Sequence, residues 1–110
     1  MQYLLMICGV EGDPPDTDQD GLDSATIEWV REMEGVRRLG SRLRSTSTAT
    51  TVRVRDGEML LSDGPFAETK EQILGFDLIE CDDIEEAIAA AAKHPSAKFG
   101  SIEVRPLWPT

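Results

Sequence analysis

The side chains most able to do chemistry lie in the stretch SDGPFAETKEQ, residues 62–72. Asp63 could take up a proton as a general base, while Glu68 and Lys70 could lie beside it at the mouth of a cavity. A lysine in that position would bind an anion, because its ammonium group carries a positive charge. The stretch therefore predicts acid–base chemistry on a small anionic ligand, with Asp63 as the catalytic residue.

The same stretch has a purely structural interpretation. Gly64 precedes a proline and must be extended or in a glycine-only conformation. Asp63 can accept backbone N–H groups of the turn, and Pro65 can begin a single helical turn through residues 66–69. Phe66 would then pack the loop back on the sheet. A catalytic role and an Asx-type turn both stay open for Asp63.

Positive charge is concentrated between residues 35 and 55, where six arginines occur without an acidic residue. They are Arg37, Arg38, Arg42, Arg44, Arg53 and Arg55. Arg53 and Arg55 alternate with valines, so the two lie on one face of a predicted strand. Either the arginines pair with carboxylates on neighbouring elements, or they form a local anion site.

The single histidine, His94, follows a helical pattern and precedes Pro95. The helix dipole favours a cation there, so the sequence KHP is an ordinary helix ending. In a functional interpretation, His94 would line the same pocket as Asp63 and Arg53. The predicted ligand-binding set is Arg53, Arg55, Phe66, Glu68, Lys70 and His94.

No cofactor and no metal site are predicted. Cys8 and Cys81 lie in apolar, strand-like runs far from the histidine, and no zinc-type ligand spacing occurs. The segment DTDQDG, residues 16–21, matches the first positions of an EF-hand loop. The position of the bidentate glutamate is Ile27, however, so we interpret the segment as an acidic loop that leads into a helix.

Chain length, net charge and the apolar pattern limit the expected number of domains, the partners and the location of the protein. The 110 residues are enough for a single domain, residues 1–110. A formal net charge of −10 repels a phosphate backbone, so nucleic acid is not an expected partner. The apolar run at residues 1–10 is too short to span a membrane and does not read as a signal peptide. With both thiols in apolar runs, we expect a cytoplasmic protein without a membrane partner.

Apolar periodicity predicts the element order β, α, β-hairpin, β, α, β. The predicted elements are a strand at 2–8, a helix from 22 to 35, a hairpin at 50–64 turning at Asp56-Gly57, a strand at 73–81, a helix at 82–95 and a strand at 100–108. Residues 36–49 are expected to be a loop or a short extended piece. An α+β, ferredoxin-like βαββαβ sheet with an extra β-hairpin and two helices on one face is the simplest closure.

The strands at 2–8 and 73–81 are apolar on both faces. Two helices cover only one face of a sheet, and monomers seldom leave an apolar face of several hundred Å² bare. We therefore expect a homodimer that packs sheet face against sheet face.

From Thr50 to Trp108 the chain resembles the DGPF-domain proteins of the YCII-related family, most specifically in the run DGPFAETKEQ. The resemblance implies the dimeric α+β barrel fold. Relatives within that fold include muconolactone isomerases, a chloromuconolactone dehalogenase and monooxygenases. The chain departs from the family in one respect, because the histidine suggested for some members on the first helix is missing from residues 22–35.

Two functional hypotheses follow from this resemblance. One is a cofactor-free enzyme that acts on a small organic acid or lactone. The other is a noncatalytic ligand-binding or regulatory module associated with an extracytoplasmic-function sigma factor, beside which such proteins are often encoded.

Overall fold

A four-stranded antiparallel sheet with two helices on one face forms the body of the protein. The computed structural model describes residues 1–11, 19–67 and 69–109, without the side chains of residues 19–23. Its elements are β1 (Gln2–Gly9), α1 (Gln19–Glu32), β2 (Arg37–Arg42), β3 (Thr50–Arg55), β4 (Glu58–Asp63), β5 (Gln72–Glu80), α2 (Ile84–Lys93) and β6 (Ser101–Pro106). Short 3₁₀ turns follow β2 at Thr46–Thr48 and α2 at Pro95–Lys98.

The strand order β2-β5-β1-β6 is the ferredoxin-like arrangement expected from the sequence, and β3–β4 is the extra hairpin. The α+β fold class is therefore confirmed. The segment expected as a loop or short extended piece contains a full strand, β2, at the edge of the sheet beside β5. Its polar composition suits an edge, and a register shift between Arg37 and Leu39 breaks the alternation that would have revealed it.

The core lies between the helices and one face of the sheet. Alternate residues of β1 and β5 are buried there, so that Leu5 and Ile79 are fully enclosed. Trp29 of α1 and Met33, just after that helix, pack against them, and α2 adds a stripe of small residues, Ala87, Ala90 and Ala91. Trp29 also ties the helices together, because its Nε1 donates to the Ala90 carbonyl oxygen at 2.9 Å.

A capping box begins α2, as the sequence predicts. The Asp83 side chain accepts from the Glu86 backbone N–H at 2.9 Å, and Glu86 Oε2 accepts from the Asp82 backbone N–H at 3.0 Å. The two bonds satisfy backbone donors at the start of the helix, and the carboxylates favour its dipole. The helix is thereby fixed over the sheet, and His94 follows directly at its end.

The β3–β4 hairpin stands off the body of the protein. Asp56 and Gly57 form its predicted turn, with φ of 53° and 78°, the left-handed values that a two-residue hairpin turn requires. Its strands pair with each other and have no extensive packing against other elements of the described chain. The radius of gyration is accordingly 15.7 Å, against about 13 Å for a compact chain of this length.

The second face of the sheet carries no helix. Leu4 and Met6 of β1 and Phe76 and Leu78 of β5 point to this side and are only half-buried. This set of residues is called the open face below. No helix in the described residues is long and apolar enough to cross a membrane.

Candidate functional site

A cavity of about 330 Å³ opens between α1, the sheet and the segment after α2. This volume is within the range of small-molecule sites. Ile7, Val10, Val30 and Leu43 contribute to its apolar lining. The charged and ring-nitrogen groups that line it are Glu11, Arg37, Arg42, Arg44, Asp77 and His94.

His94 lies in this cavity wall and is held as a neutral ring. Its residue is 5% exposed, and the Trp29 ring meets it edge-on with centroids 4.7 Å apart. Nδ1 accepts from the Ser96 backbone N–H at 3.1 Å, so the ring proton sits on Nε2. Burial lowers the pKa of His94 to about 4. At neutral pH the side chain is therefore a hydrogen-bond donor at Nε2 and carries no charge.

Asp77 is a buried carboxylate in the middle of β5 and lines the same cavity. Arg37 Nε donates to its Oδ1 at 2.7 Å. Burial raises the pKa of Asp77, and the hydrogen bond and charge of Arg37 only partly oppose that rise. A carboxylate with a raised pKa accepts a proton more readily than an ordinary aspartate.

Gly40 leaves room for this ion pair. A Cβ atom at that position would lie 2.1 Å from Asp77 Oδ1 and 2.6 Å from a terminal nitrogen of Arg37. It would also meet the Phe76 carbonyl oxygen at 2.8 Å. The close approach of β2 to β5 at the pair therefore requires glycine.

The arginine-rich segment divides between two places. Arg37, Arg42 and Arg44 line the cavity, whereas Arg53 and Arg55 lie on the hairpin. Arg38 pairs with Glu80 at 3.1 Å between two exposed side chains. The pairing interpretation therefore applies to Arg37 and Arg38, which contact Asp77 and Glu80, whereas an anion site stays a prediction.

The residues of the predicted site are not all brought together. His94 lines the cavity, but Asp63, Lys70, Arg53, Arg55 and Phe66 do not. Asp63 ends β4 opposite Thr50, and both Asp63 and Lys70 are exposed. Glu68 lies outside the described residues. The roles assigned to these side chains stay predictions.

The SDGPFAETKEQ loop has its own structural contacts. The Arg53 guanidinium lies 5.5 Å from the centre of the Phe66 ring, which is 80% exposed. The Gly64 N–H donates to the Ala49 carbonyl oxygen at 2.8 Å, with a Gly64 φ of 96°. Residues 66 and 67 form bends instead of continuing the expected helical turn from Pro65, and Phe66 faces solvent instead of anchoring the loop on the sheet.

Sequence reasoning missed Asp77 and Arg37 as site residues. The signal for Asp77 was present, because it is the one acidic residue in the interior of the apolar strand β5, which ends at the exposed Glu80. A carboxylate at a core-facing position must find a partner or take up a proton. No group of His, Cys, Asp and Glu side chains that could hold a metal occurs in the described ranges, and the first half of the EF-hand-like segment, residues 16–18, lies outside them.

Comparisons with known proteins agree with the resemblance seen in the sequence. The YCII-related domain matches residues 1–110. An uncharacterised protein of Rhizobium meliloti (strain 1021) is 49% identical over 69 residues, which are 61% of this chain and 56% of that protein. This chain therefore spans only about half the length of that curated relative.

Among solved structures, the fold matches a 5-chloro-2-hydroxyhydroquinone dehydrochlorinase from Burkholderia phenoliruptrix AC1100 in complex with 2,5-dihydroxybenzoquinone. The TM-score is 0.56 at 15% sequence identity, and the match covers 100% of this chain and 96% of that one. At this identity the likeness shows the shared fold alone.

Proposed function

The chain belongs to the YCII-related family, and we propose that its cavity is the active site of a cofactor-free enzyme that moves a proton on a small organic acid or lactone. The observation that carries the proposal is the presence of Asp77 and neutral His94 in the wall of one cavity of about 330 Å³. The two groups supply the complementary roles that proton transfer at carbon needs, a base and a hydrogen-bond donor.

Asp77 is the proton-transferring group. Arg37 holds Oδ1 at 2.7 Å, which leaves Oδ2 as the atom that meets the substrate. Burial raises the pKa of this carboxyl, and a base is most effective when its pKa approaches the working pH. The bond from Arg37 also keeps the carboxylate in one orientation.

His94 stabilises the negative charge that forms when the proton leaves. When a C–H group next to a carbonyl group loses its proton, an enolate forms. The Nε2–H of His94 can donate a hydrogen bond to the enolate oxygen. A neutral imidazole suits this task because it stays a donor throughout and does not protonate the base. The bond from Ser96 to Nδ1 keeps the Nε2–H tautomer in place.

Arg42 and Arg44, in the part of the lining next to β2, bind the anionic end of the substrate. Apolar residues beside them accept a hydrocarbon or ring body. The solved relative, a dehydrochlorinase with a dihydroxybenzoquinone, supports small oxygenated ring compounds as the class to test first.

The experiment measures exchange of substrate C–H protons with D₂O by ¹H NMR, together with turnover, for muconolactone, 2,5-dihydroxybenzoquinone and benzoate-sized acids. We expect Asp77→Asn to lower the rate by about 10²–10⁴ and His94→Phe by about 10². Asp82→Asn, at an exposed carboxylate before α2, is the matched control and should keep the full rate. An Asp77→Asn enzyme with wild-type activity would refute the assignment.

The same variants and compounds also distinguish the proposed active site from the other functional hypotheses. Loss of activity in Asp63→Asn with Asp77→Asn unaffected would move the active site to the SDGPFAETKEQ loop. Ligand binding without exchange or turnover for any compound would favour the noncatalytic binding module. Association with a sigma factor stays a prediction from the sequence resemblance, to be checked by pull-down at physiological salt.

A further inference from the structure

Residues 43–48 form one rim of the cavity and lead from the sheet toward the hairpin. Leu43, Arg44 and Ser45 line the cavity. The Leu43 N–H donates to the Leu74 carbonyl oxygen at 2.9 Å, which fixes the start of the segment on β5. We call residues 43–48 the rim segment.

The far end of the rim segment has no such support from the sheet. It continues into β3, whose hairpin has no extensive packing against other elements of the described chain. Within the segment, Ser45 Oγ accepts from the Ser47 N–H at 3.2 Å, and the Thr48 N–H donates to the Ser45 carbonyl oxygen at 2.9 Å. These bonds shape the turn, but they do not attach it to the body of the protein.

Glu11, just after β1, supplies that attachment and itself lines the cavity. Its Oε1 accepts from the Thr46 N–H and its Oε2 from the Thr46 hydroxyl group, each at 2.6 Å. The bond from the hydroxyl group is the main reason that the pKa of Glu11 lies below its ordinary value, so the acceptor is a carboxylate and the bonds are strong. In the described part of the chain, the hydrogen bonds that join residues 44–48 to any segment outside residues 43–49 end on Glu11.

Arg44 is the charged group whose position depends on this attachment. It lines the cavity, is exposed, and makes no ion pair among the residues that the structure describes. An arginine on a loose segment binds an anion weakly, because ordering the backbone and the side chain costs conformational entropy. A rim segment that is already fixed lowers this cost.

We propose that Glu11 is a positioning residue, which fixes the rim segment so that Arg44 can bind the anionic end of the ligand. The inference rests on the proposed function, because it concerns the same cavity and the same class of ligand. Coulomb repulsion alone predicts that removal of the negative Glu11 strengthens anion binding. Loss of the attachment predicts the opposite, weaker binding.

The experiment measures the binding of benzoate and of neutral benzamide by isothermal titration calorimetry at neutral pH. We expect Glu11→Ala to raise the Kd of benzoate by about tenfold or more and to leave that of benzamide within about threefold. Glu11→Gln should stay within about threefold for both compounds, because its Oε1 can accept from the Thr46 N–H and its amide group can donate to the Thr46 hydroxyl oxygen. Glu58→Ala, at an exposed carboxylate on the hairpin, is the matched control and should bind both compounds as the wild type does.

Two further variants locate the effect. Thr46→Val keeps the N–H but removes the hydroxyl donor, so it should raise the Kd of benzoate severalfold, and it gives the same test if Glu11→Ala does not fold. Arg44→Gln should also weaken benzoate binding. Adding Glu11→Ala to Arg44→Gln should then change the Kd by less than about twofold, because the side chain that Glu11 positions is absent.

Circular dichroism checks the fold of each variant. Benzoate binding that is unchanged or tighter in folded Glu11→Ala or Thr46→Val, or a wild type that does not bind benzoate, would overturn the proposal. The proposed catalysis is judged separately, by proton exchange in the wild type and in Asp77→Asn, since benzoate binding requires no proton transfer. Binding that depends on Glu11 without any exchange would therefore support the positioning role and refute the catalysis.

Discussion

At the scale of single residues, His94 links the stability of the protein to pH through its burial. In the folded chain its pKa is about 4, below its ordinary value of 6.5, because burial disfavours the charged ring. Between about pH 4 and pH 6.5, His94 is therefore protonated in the unfolded chain and neutral in the folded chain. Above about pH 6.5 the titration of His94 does not lower the unfolding free energy. As the pH falls from 6.5 toward 4, it lowers the unfolding free energy by an amount on the order of 3 kcal/mol.

Urea unfolding at pH 7.5, 5.5 and 4.5 tests this coupling. We expect His94→Asn to show a smaller loss of unfolding free energy over this range, since asparagine does not titrate there. Asparagine Oδ1 can take the place of Nδ1 and keep the bond from the Ser96 N–H, so the turn after α2 is preserved. If the wild-type and His94→Asn free energies fell in parallel, the acid sensitivity would arise from other groups.

The site residues differ in how far the sequence could reveal them. His94 was predicted to share a pocket with Asp63 and Arg53, and it lines a cavity that neither of those two residues reaches. Asp77 could have been found from its place in an apolar strand, but its partner could not. Arg37 reaches Asp77 only because β2 is a sheet strand, and the pair is 40 residues apart in the chain. The SDGPFAETKEQ loop identified the family, yet its described residues lie outside the cavity.

At the scale of elements, β2 and β5 illustrate what periodicity can and cannot show. The long two-sided strands, the α2 capping box and the Asp56-Gly57 turn follow local rules and were predicted correctly. Strand β2 is short, polar and interrupted by a register shift, so its existence depends on the neighbour that it pairs with. Tertiary pairing with β5, and not local preference, makes this segment a strand.

The contact between these two strands gives a prediction at Gly40. Gly40→Ala should lower the unfolding free energy by about 2–4 kcal/mol, because its Cβ would separate the buried Arg37–Asp77 pair. It should also lower the activity proposed for the cavity. Gly35→Ala is the matched control, since nothing lies within 4 Å of its added Cβ, and its effect should stay within about 0.5 kcal/mol.

Urea titrations followed by far-UV circular dichroism measure both glycine variants. Equal stabilities for Gly40→Ala and Gly35→Ala would show that β2 can move away from β5 without cost. The importance assigned to this strand contact would then be wrong.

At the scale of the whole molecule, a net charge of −10 opposes the association of two copies. The homodimer predicted from the sequence would pack through the apolar open face of the sheet. Association should therefore have a recognisable dependence on salt. Screening shortens the reach of the repulsion from about 10 Å at 0.1 M to about 3 Å at 1 M, while apolar contacts do not weaken.

We expect the dimer dissociation constant to fall severalfold between 50 mM and 500 mM NaCl, measured by sedimentation with the fold checked by circular dichroism at each concentration. Salt should have little effect on Leu4→Glu, a change on the open face, which we expect to stay monomeric throughout. A wild-type dimer that dissociates as salt rises would indicate an interface held by ion pairs. In that case charged side chains, and not the open face, would carry the association.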